Sequence, residues 1–341
     1  MTQTNHSNHN GVMTVVVPAA GMGTRFLPAT KTVPKELLPV VDTPGIELIA
    51  EEAAELGASR LAVITAPSKD GVLAHFGDFS GLVETLESRD KGEQVAKVKR
   101  AGELIQPVAV EQEQPLGLGH AVGLAESALD EDEDAFAVML PDDLVLAEAG
   151  GAGVLELMCR VRQQFGGSVL CAFEVERDEV FNYGVFEVEE IDGASGLPGE
   201  LVKSVAGMVE KPEPAAAPST LAAAGRYLLD RSVFDALRRI TPGKGGELQL
   251  TDAIELMIQE GHPVHVVVHT GKRHDLGNPA GYIPANVDFG LRHPKYGPAL
   301  YRSIKQVIAD FEAEQERLAT TEADELVEKA AESPLSVSPG R

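Results

Sequence analysis

Short apolar runs recur along this chain, separated by stretches with helical spacing. Thr14 to Val17, Leu61 to Thr65, Pro107 to Gln112, Phe136 to Leu140, Ser168 to Glu176 and Val264 to His269 read as buried strands. Ile46 to Leu56, ending at Gly57, and Val154 to Phe165 read as amphipathic helices. This alternation predicts an α/β chain with a parallel sheet and helices on both faces. Residues 68–105 are helical and charged, broken by Gly71, Gly77, Gly81 and Gly92, and read as an excursion beside the site rather than a domain. Beyond Glu176 short β-like stretches dominate, at Gly184 to Glu190, Leu201 to Val209 and Arg226 to Leu229, joined by Gly/Pro/Ala turns. Gly246 to Ile258 has a helix-start Thr251 and an amphipathic stripe, and is assigned mainly to structure. Pro279 to Leu291 and Leu300 to Leu318 are helical and can supply an oligomer interface. Residues 1–11 are polar and 321–341 are acidic and then Pro/Ser-rich; both are expected to be disordered.

The chemistry concentrates after the first strand. Ala20, Gly21, Gly23 and Thr24 form a small-residue turn, followed by Arg25, Lys31 and Lys35 with Pro28 and Pro34 between them. Such a turn lets backbone N–H groups close around a phosphate, and the cations add charge at the same oxygens. The prolines predict a stiff, extended arm rather than a helix. Two glycine fingerprints fail: Phe26 stands where a dinucleotide loop needs its third glycine, which disfavours an NAD-dependent oxidoreductase, and no Gly-Lys-Ser/Thr follows.

Asp142 and Asp143 end a buried strand, where open α/β sheets bind ligands, and a carboxylate there can hold Mg²⁺ on phosphates. Gln112 ends another strand and faces a turn through Gly117 and Gly119, so its amide can read a pyrimidine edge with the Gly117 N–H beside it. His120 reads as a helix-start or packing residue. Asn182, Tyr183 and Gly184 offer bare backbone to a small polar ligand, and Glu210 beside Lys211 can grip sugar hydroxyls and a phosphate together.

The 341 residues carry a net charge of -24, which argues against a nucleic-acid partner and leaves any triphosphate to be drawn in by local cations. Cys159 and Cys171 read as reduced, buried thiols with no metal-type spacing. No apolar run reaches membrane-spanning length, and a cytoplasmic protein is expected.

GMGTRFLPATKTVPKELLPV, with the later Glu-Lys-Pro and the strand-end aspartates, resembles the signature of the bacterial sugar-1-phosphate nucleotidylyltransferases, and among them those acting on UTP and glucose 1-phosphate. The resemblance spans about residues 12–292. It implies a Rossmann-like, mixed but mostly parallel central sheet with a small β-rich sugar-binding part. The nucleotide part is then about 12–176, the sugar part 177–277, and 293–320 a C-terminal helix. It further implies UTP and glucose 1-phosphate as substrates, UDP-glucose and pyrophosphate as products, and a homodimer or homotetramer. In that reading Arg25 and the loop amides hold the triphosphate, Lys35 neutralises phosphoryl oxygens, Asp142 and Asp275 hold Mg²⁺, Lys211 orients the sugar phosphate and Glu210 fixes glucose hydroxyls. Gln112 and Gly117 then read uracil. Glu36 either orients Lys35 or lies near the sugar; Asp143 is either a support for the metal site or exposed; the Lys272-Arg273-His274 cluster has no assigned role. The rivals are a thymidylyltransferase, disfavoured by Lys35-Glu36-Leu37 and the long 68–105 excursion, and a non-catalytic sugar-nucleotide-binding regulator.

Overall fold

The computed structural model describes residues 12–67, 69–146, 153–191, 193 and 196–332. The expectation for residues 1–11 lies outside them. Among the described residues thirteen strands follow in order: β1 (Thr14–Pro18), β2 (Pro39–Val40), β3 (Thr43–Pro44), β4 (Arg60–Thr65), β5 (Gln106–Glu111), β6 (Ala135–Met139), β7 (Asp143–Val145), β8 (Ser168–Glu174), β9 (Gly184–Glu190), β10 (Val202–Glu210), β11 (Leu221–Asp230), β12 (Val264–Val268) and β13 (Arg273–Asp275). Nine of them form one sheet in the order β5-β4-β1-β6-β11-β8-β12-β10-β9. The remainder make two small two-stranded sheets, β13-β7 and β2-β3.

The sheet is mixed, and it is not mostly parallel in its pairing. Parallel ladders join β5, β4, β1 and β6, and again β8 and β12. The ladders made by β11 and β10 are antiparallel. The physical reason is connectivity. Early strands are joined by helical crossovers, which return the chain in the same direction, whereas β9 and β10 are joined without a helix long enough to do so. The strands after Glu176 therefore extend the same sheet, with β11 inserted at its middle, and β9 curls back to pair with β11 at Ala222 and Val185.

β1 and β6 are buried on both faces, as parallel central strands must be. Val16, Val138, Leu170 and Val266 share one core with Val122, Phe234 and Met257. Those last three come from α5 (Leu118–Leu124), α7 (Val233–Leu237) and α8 (Leu250–Gln259). Val15 and Val17 point the other way by the two-residue period of a strand. α6 (Val154–Phe165) packs on β8, β11 and β12.

The 68–105 excursion holds α2 (Asp70–Ala74), α3 (Ser80–Glu87) and α4 (Gly92–Leu104). It is fastened to α1 (Gly45–Glu55) through one buried carboxylate: Glu47 receives Arg100 Nε at 2.6 Å and lies 2.8 Å from His75 Nε2. Burial alone would raise the Glu47 carboxyl, but the bonds from His75 and Arg100 outweigh it and hold the group below its ordinary 4.5. A depressed folded value means the stabilisation is complete above about 4.5 and is lost as pH falls through that lower value. Denaturant titrations from neutral pH down to about 3.5 should therefore show Glu47→Gln losing less stability on acidification than the wild type; parallel losses would reject this account.

The chain divides into two compact units, one ending at Ala285 and one beginning at Asn286. The second contains the end of α9 (Pro279–Arg292) and the long α10 (Gly297–Glu332). The helix runs well past the expected Leu318, into the stretch expected as an acidic tail. Its Ala- and Glu-rich sequence there consists largely of strong helix formers.

Candidate active site

The loop after β1 is built from tight turns rather than an extended arm. Three single-turn 3₁₀ segments, Thr24–Phe26, Ala29–Lys31 and Lys35–Leu37, follow one another, the second and third each entered from a proline. Proline's fixed φ suits the start of such a turn, while its ring and missing N–H stop the preceding turn from growing into a helix. Gly23 is left-handed at φ 63°, and a Cβ there would lie 3.1 Å from Thr30 and 3.2 Å from Lys35. Thr30 Oγ1 donates to the Gly23 carbonyl at 2.7 Å, and Phe26 packs edge-on to Tyr282. Gly21, Thr24 and Arg25 are left exposed, while Ala20 is buried beneath them.

Lys35 Nζ donates to Asp142 Oδ2 at 2.5 Å, so the first loop and the end of β6 meet through charge. Burial disfavours the ionised Asp142, but the charge and hydrogen bond of Lys35 outweigh it and hold the carboxyl below its ordinary range. Glu36 turns the opposite way. Its side chain is fully buried and both oxygens accept from Lys69 Nζ, at 3.1 and 2.9 Å. The expected contact of Glu36 with substrate is corrected accordingly: the neighbour of Lys35 faces the interior because it partners a buried lysine. Lys69 also donates to the Ala19 carbonyl at 2.7 Å, tying the excursion to the base of the phosphate loop. Burial lowers the Lys69 ammonium, and Glu36 opposes that effect.

A single cleft is lined by Arg25, Asp142, Gly184, Glu210, Lys211 and Asp275. Lys35 reaches it through Asp142. The carboxylates converge on Gly277, where a Cβ would sit 2.9 Å from Asp275 Oδ1, 3.2 Å from Asp142 Oδ2 and 3.7 Å from an Arg25 nitrogen. Leu276 N–H donates to the Asp142 carbonyl, and β13 pairs with β7 so that Asp275 stands opposite Asp143. Asp143 itself is buried, with Arg273 Nε 2.7 Å from one oxygen and Nη2 donating to the other at 3.0 Å. Burial pushes the Asp143 carboxyl up, and Arg273 works against that. The Arg273 guanidinium also lies over the Phe173 ring. The exposed alternative for Asp143 is thus excluded, and Arg273 is its partner.

Glu210 ends β10. Its Oε2 accepts from Thr251 Oγ1 at 2.7 Å, and its Oε1 lies 3.0 Å from Lys211 Nζ. Lys211 has a left-handed backbone at φ 46°, an unusual state for a residue before proline, and its N–H donates to the Tyr183 carbonyl. Gly184 lies close beside them: a Cβ would lie 2.8 Å from the terminal methyl of Met208, 3.2 Å from Thr251 Oγ1 and 3.4 Å from Glu210 Oε2. Thr251 therefore serves Glu210 instead of capping α8.

At the end of β5, Gln112 is buried, with Nε2 2.8 Å from His120 Nδ1 and 3.5 Å from the Gly117 carbonyl. Gly117 has φ 107°, and a Cβ would collide with the Leu248 carbonyl at 2.7 Å. Leu248 N–H donates to Leu116 O, and Gly119 N–H to Leu248 O. The Gly246–Gln249 segment thus clamps the turn that follows Gln112.

The nucleotidyl transferase family profile matches residues 14–290. The chain belongs to this family. UTP–glucose-1-phosphate uridylyltransferase YngB of Bacillus subtilis (strain 168) is 37% identical over 297 residues, covering 87% of this chain and 96% of the relative. A UTP-bound UGPase from Acinetobacter baumannii superposes with a TM-score of 0.76 at 37% identity, covering 87% of this chain and 99% of that one. A crystal structure of UDP-glucose pyrophosphorylase complexed with UDP-glucose superposes at 0.72 with 35% identity, covering 83% and 100%. For a nucleotidyl transferase, the residues missed in the sequence are Lys69, Arg273 and Thr251. Thr251 and Arg273 carry a signal, the first in the Gly246 to Ile258 segment assigned to structure and the second in the Lys272-Arg273-His274 cluster with no assigned role.

Proposed function

We propose that this chain transfers a uridylyl group from UTP to α-D-glucose 1-phosphate, releasing pyrophosphate and UDP-glucose. The observation that carries it is the convergence of Arg25, Asp142, Glu210, Lys211 and Asp275 on one cleft with Lys35 bonded to its edge. The names of the similar enzymes supply UTP and UDP-glucose. The attacking sugar phosphate is ionised near neutral pH, its second pKa being about 6, so no general base is needed. The remaining work is alignment and charge neutralisation. The loop amides of Gly21 to Thr24 and the Arg25 guanidinium hold the triphosphate. Lys35 neutralises the α-phosphoryl oxygens as charge moves to the leaving pyrophosphate. Lys211 orients the sugar phosphate, and Glu210, steadied by Thr251, accepts from glucose hydroxyls. Gln112 and the Gly117 turn hold uracil.

Among the described residues no group of three or more His, Cys, Asp or Glu is set to hold a metal. Two carboxylates converging on a glycine suit Mg²⁺, which takes one or two carboxylates and completes its shell with substrate phosphates and water. Asp142 and Asp275 would hold it, and it would supply Lewis-acid screening between the two phosphorylated reactants.

The deciding experiment is pyrophosphate release over UTP, dTTP and CTP against glucose, galactose and N-acetylglucosamine 1-phosphates. UTP with glucose 1-phosphate should be fastest. A dTTP rate matching it would favour thymidylyl transfer, and no release from any pair would favour a binding regulator. Lys211→Ala should raise the KM for glucose 1-phosphate roughly 10- to 100-fold, the scale of one charge-assisted hydrogen bond, and move that for UTP much less. Equal losses would reject the assignment.

The proposal extends to a cytoplasmic homodimer or homotetramer; no helix among the described residues is long and apolar enough to cross a membrane. Val307, Ile308, Phe311 and Leu318 are exposed along α10 and support self-association. Light scattering that gives only a monomer would remove that part.

A further inference from the structure

Gln112 leaves one particular end of its amide without a hydrogen bond inside the protein. Its nitrogen lies 2.8 Å from His120 Nδ1 and 3.5 Å from the Gly117 carbonyl. A carbonyl oxygen accepts and never donates, so the network assigns nitrogen to that side of the amide. His120 Nδ1 must then accept too, which places the ring proton of the neutral imidazole on Nε2. Both hydrogens of the amide nitrogen are spent inside the protein. Oε1 has no hydrogen-bond partner among the described residues and is the only group left to meet a ligand.

We propose that His120, by accepting from Gln112 Nε2 at 2.8 Å, locks the amide with its oxygen toward the base and so sets the preference for uracil over cytosine. Uracil turns an N3–H toward such an oxygen. Cytosine turns an N3 lone pair, and two acceptors facing each other repel. His120 touches no substrate atom; it is a positioning residue. Without it the amide is free to turn over and offer Nε2–H to the cytosine lone pair.

This rests on the reading of Gln112 as the residue facing the base, and the test separates the two. The quantity to measure is kcat/KM for UTP divided by that for CTP, with glucose 1-phosphate as acceptor. His120→Leu, which removes the acceptor, should lower this ratio by roughly 10-fold or more, the scale of one mispaired buried hydrogen bond. His120→Asn keeps an acceptor near the Nδ1 position and should stay within about 3-fold of wild type, a rescue that loss of packing alone would not give. His120→Ala replaces the leucine variant should that one fail to fold. A wild-type ratio in a folded acceptor-less variant overturns the proposal. If Gln112→Leu collapses the ratio while the His120 variants do not, only the positioning role fails. If Gln112→Leu also leaves the ratio unchanged, the base-facing reading of Gln112 fails with it.

Discussion

Asp142→Asn should lower turnover by roughly 10²- to 10³-fold, the scale for losing one electrostatic stabiliser in an active site. Asparagine keeps the shape at the end of β6 and removes the charge. Two things go with that charge: the 2.5 Å partner of Lys35 and one of the two carboxylates converging on Gly277. The carboxyl lies below its ordinary range, so in the wild type it stays ionised wherever the sugar phosphate is a dianion. The acid limb of the rate profile should therefore follow the substrate phosphate near pH 6 rather than this aspartate. Steady-state rates across a Mg²⁺ titration, with thermal melts to confirm folding, give the answer. Near-wild-type turnover at ordinary Mg²⁺ would end the metal role of Asp142.

The sequence made the individual elements plain where one strong local pattern governs them. Val154–Phe165 and Gly184–Glu190 fall at the bounds the sequence predicts, because an amphipathic stripe, or a short Val/Phe-bearing run bounded by turn residues, needs no knowledge of the partner. β11 was only half legible. Its first part, Leu221 to Gly225, is nearly all alanine and glycine, poor strand formers whose extended state is set by neighbours on either side. The register shift between Ala223 and Tyr227 surrounds Gly225, whose missing Cβ leaves room for Asp143. Nothing local announces either fact, nor that β11 runs against β6 and β8.

The site divides in the same way. Asp142, Glu210, Lys211 and Asp275, which line one cleft, sit in motifs that single them out in the sequence. Their supporting contacts are not legible there, since each acts across a long separation. Thr251 reaches Glu210 over 41 positions and Arg273 reaches Asp143 over 130. Glu36 shows the limit most directly. Adjacent to Lys35, it was free to face either way in the sequence, and Lys69, 33 positions on, decides the matter.

That pair also leads to the largest expected loss of stability. Lys69→Met should cost about 3–5 kcal/mol, because it leaves a carboxylate with no exposed surface and no counter-charge. The attraction within the pair is not the main quantity; the larger part is the penalty of a stranded buried ion. The double variant Lys69→Met with Glu36→Leu tests that distinction, since removing both charges should recover most of the loss. Lys69 also holds the Ala19 carbonyl, one residue before the phosphate loop. The double variant should accordingly regain stability and still show a raised KM for UTP, as the loop has lost its anchor. Denaturant unfolding of the two single variants and the double variant gives the energies, and initial rates over a UTP series give the rest. Single variants within about 1 kcal/mol of wild type would mean that water reaches Glu36 in solution, and the pair would then be no more than a surface contact.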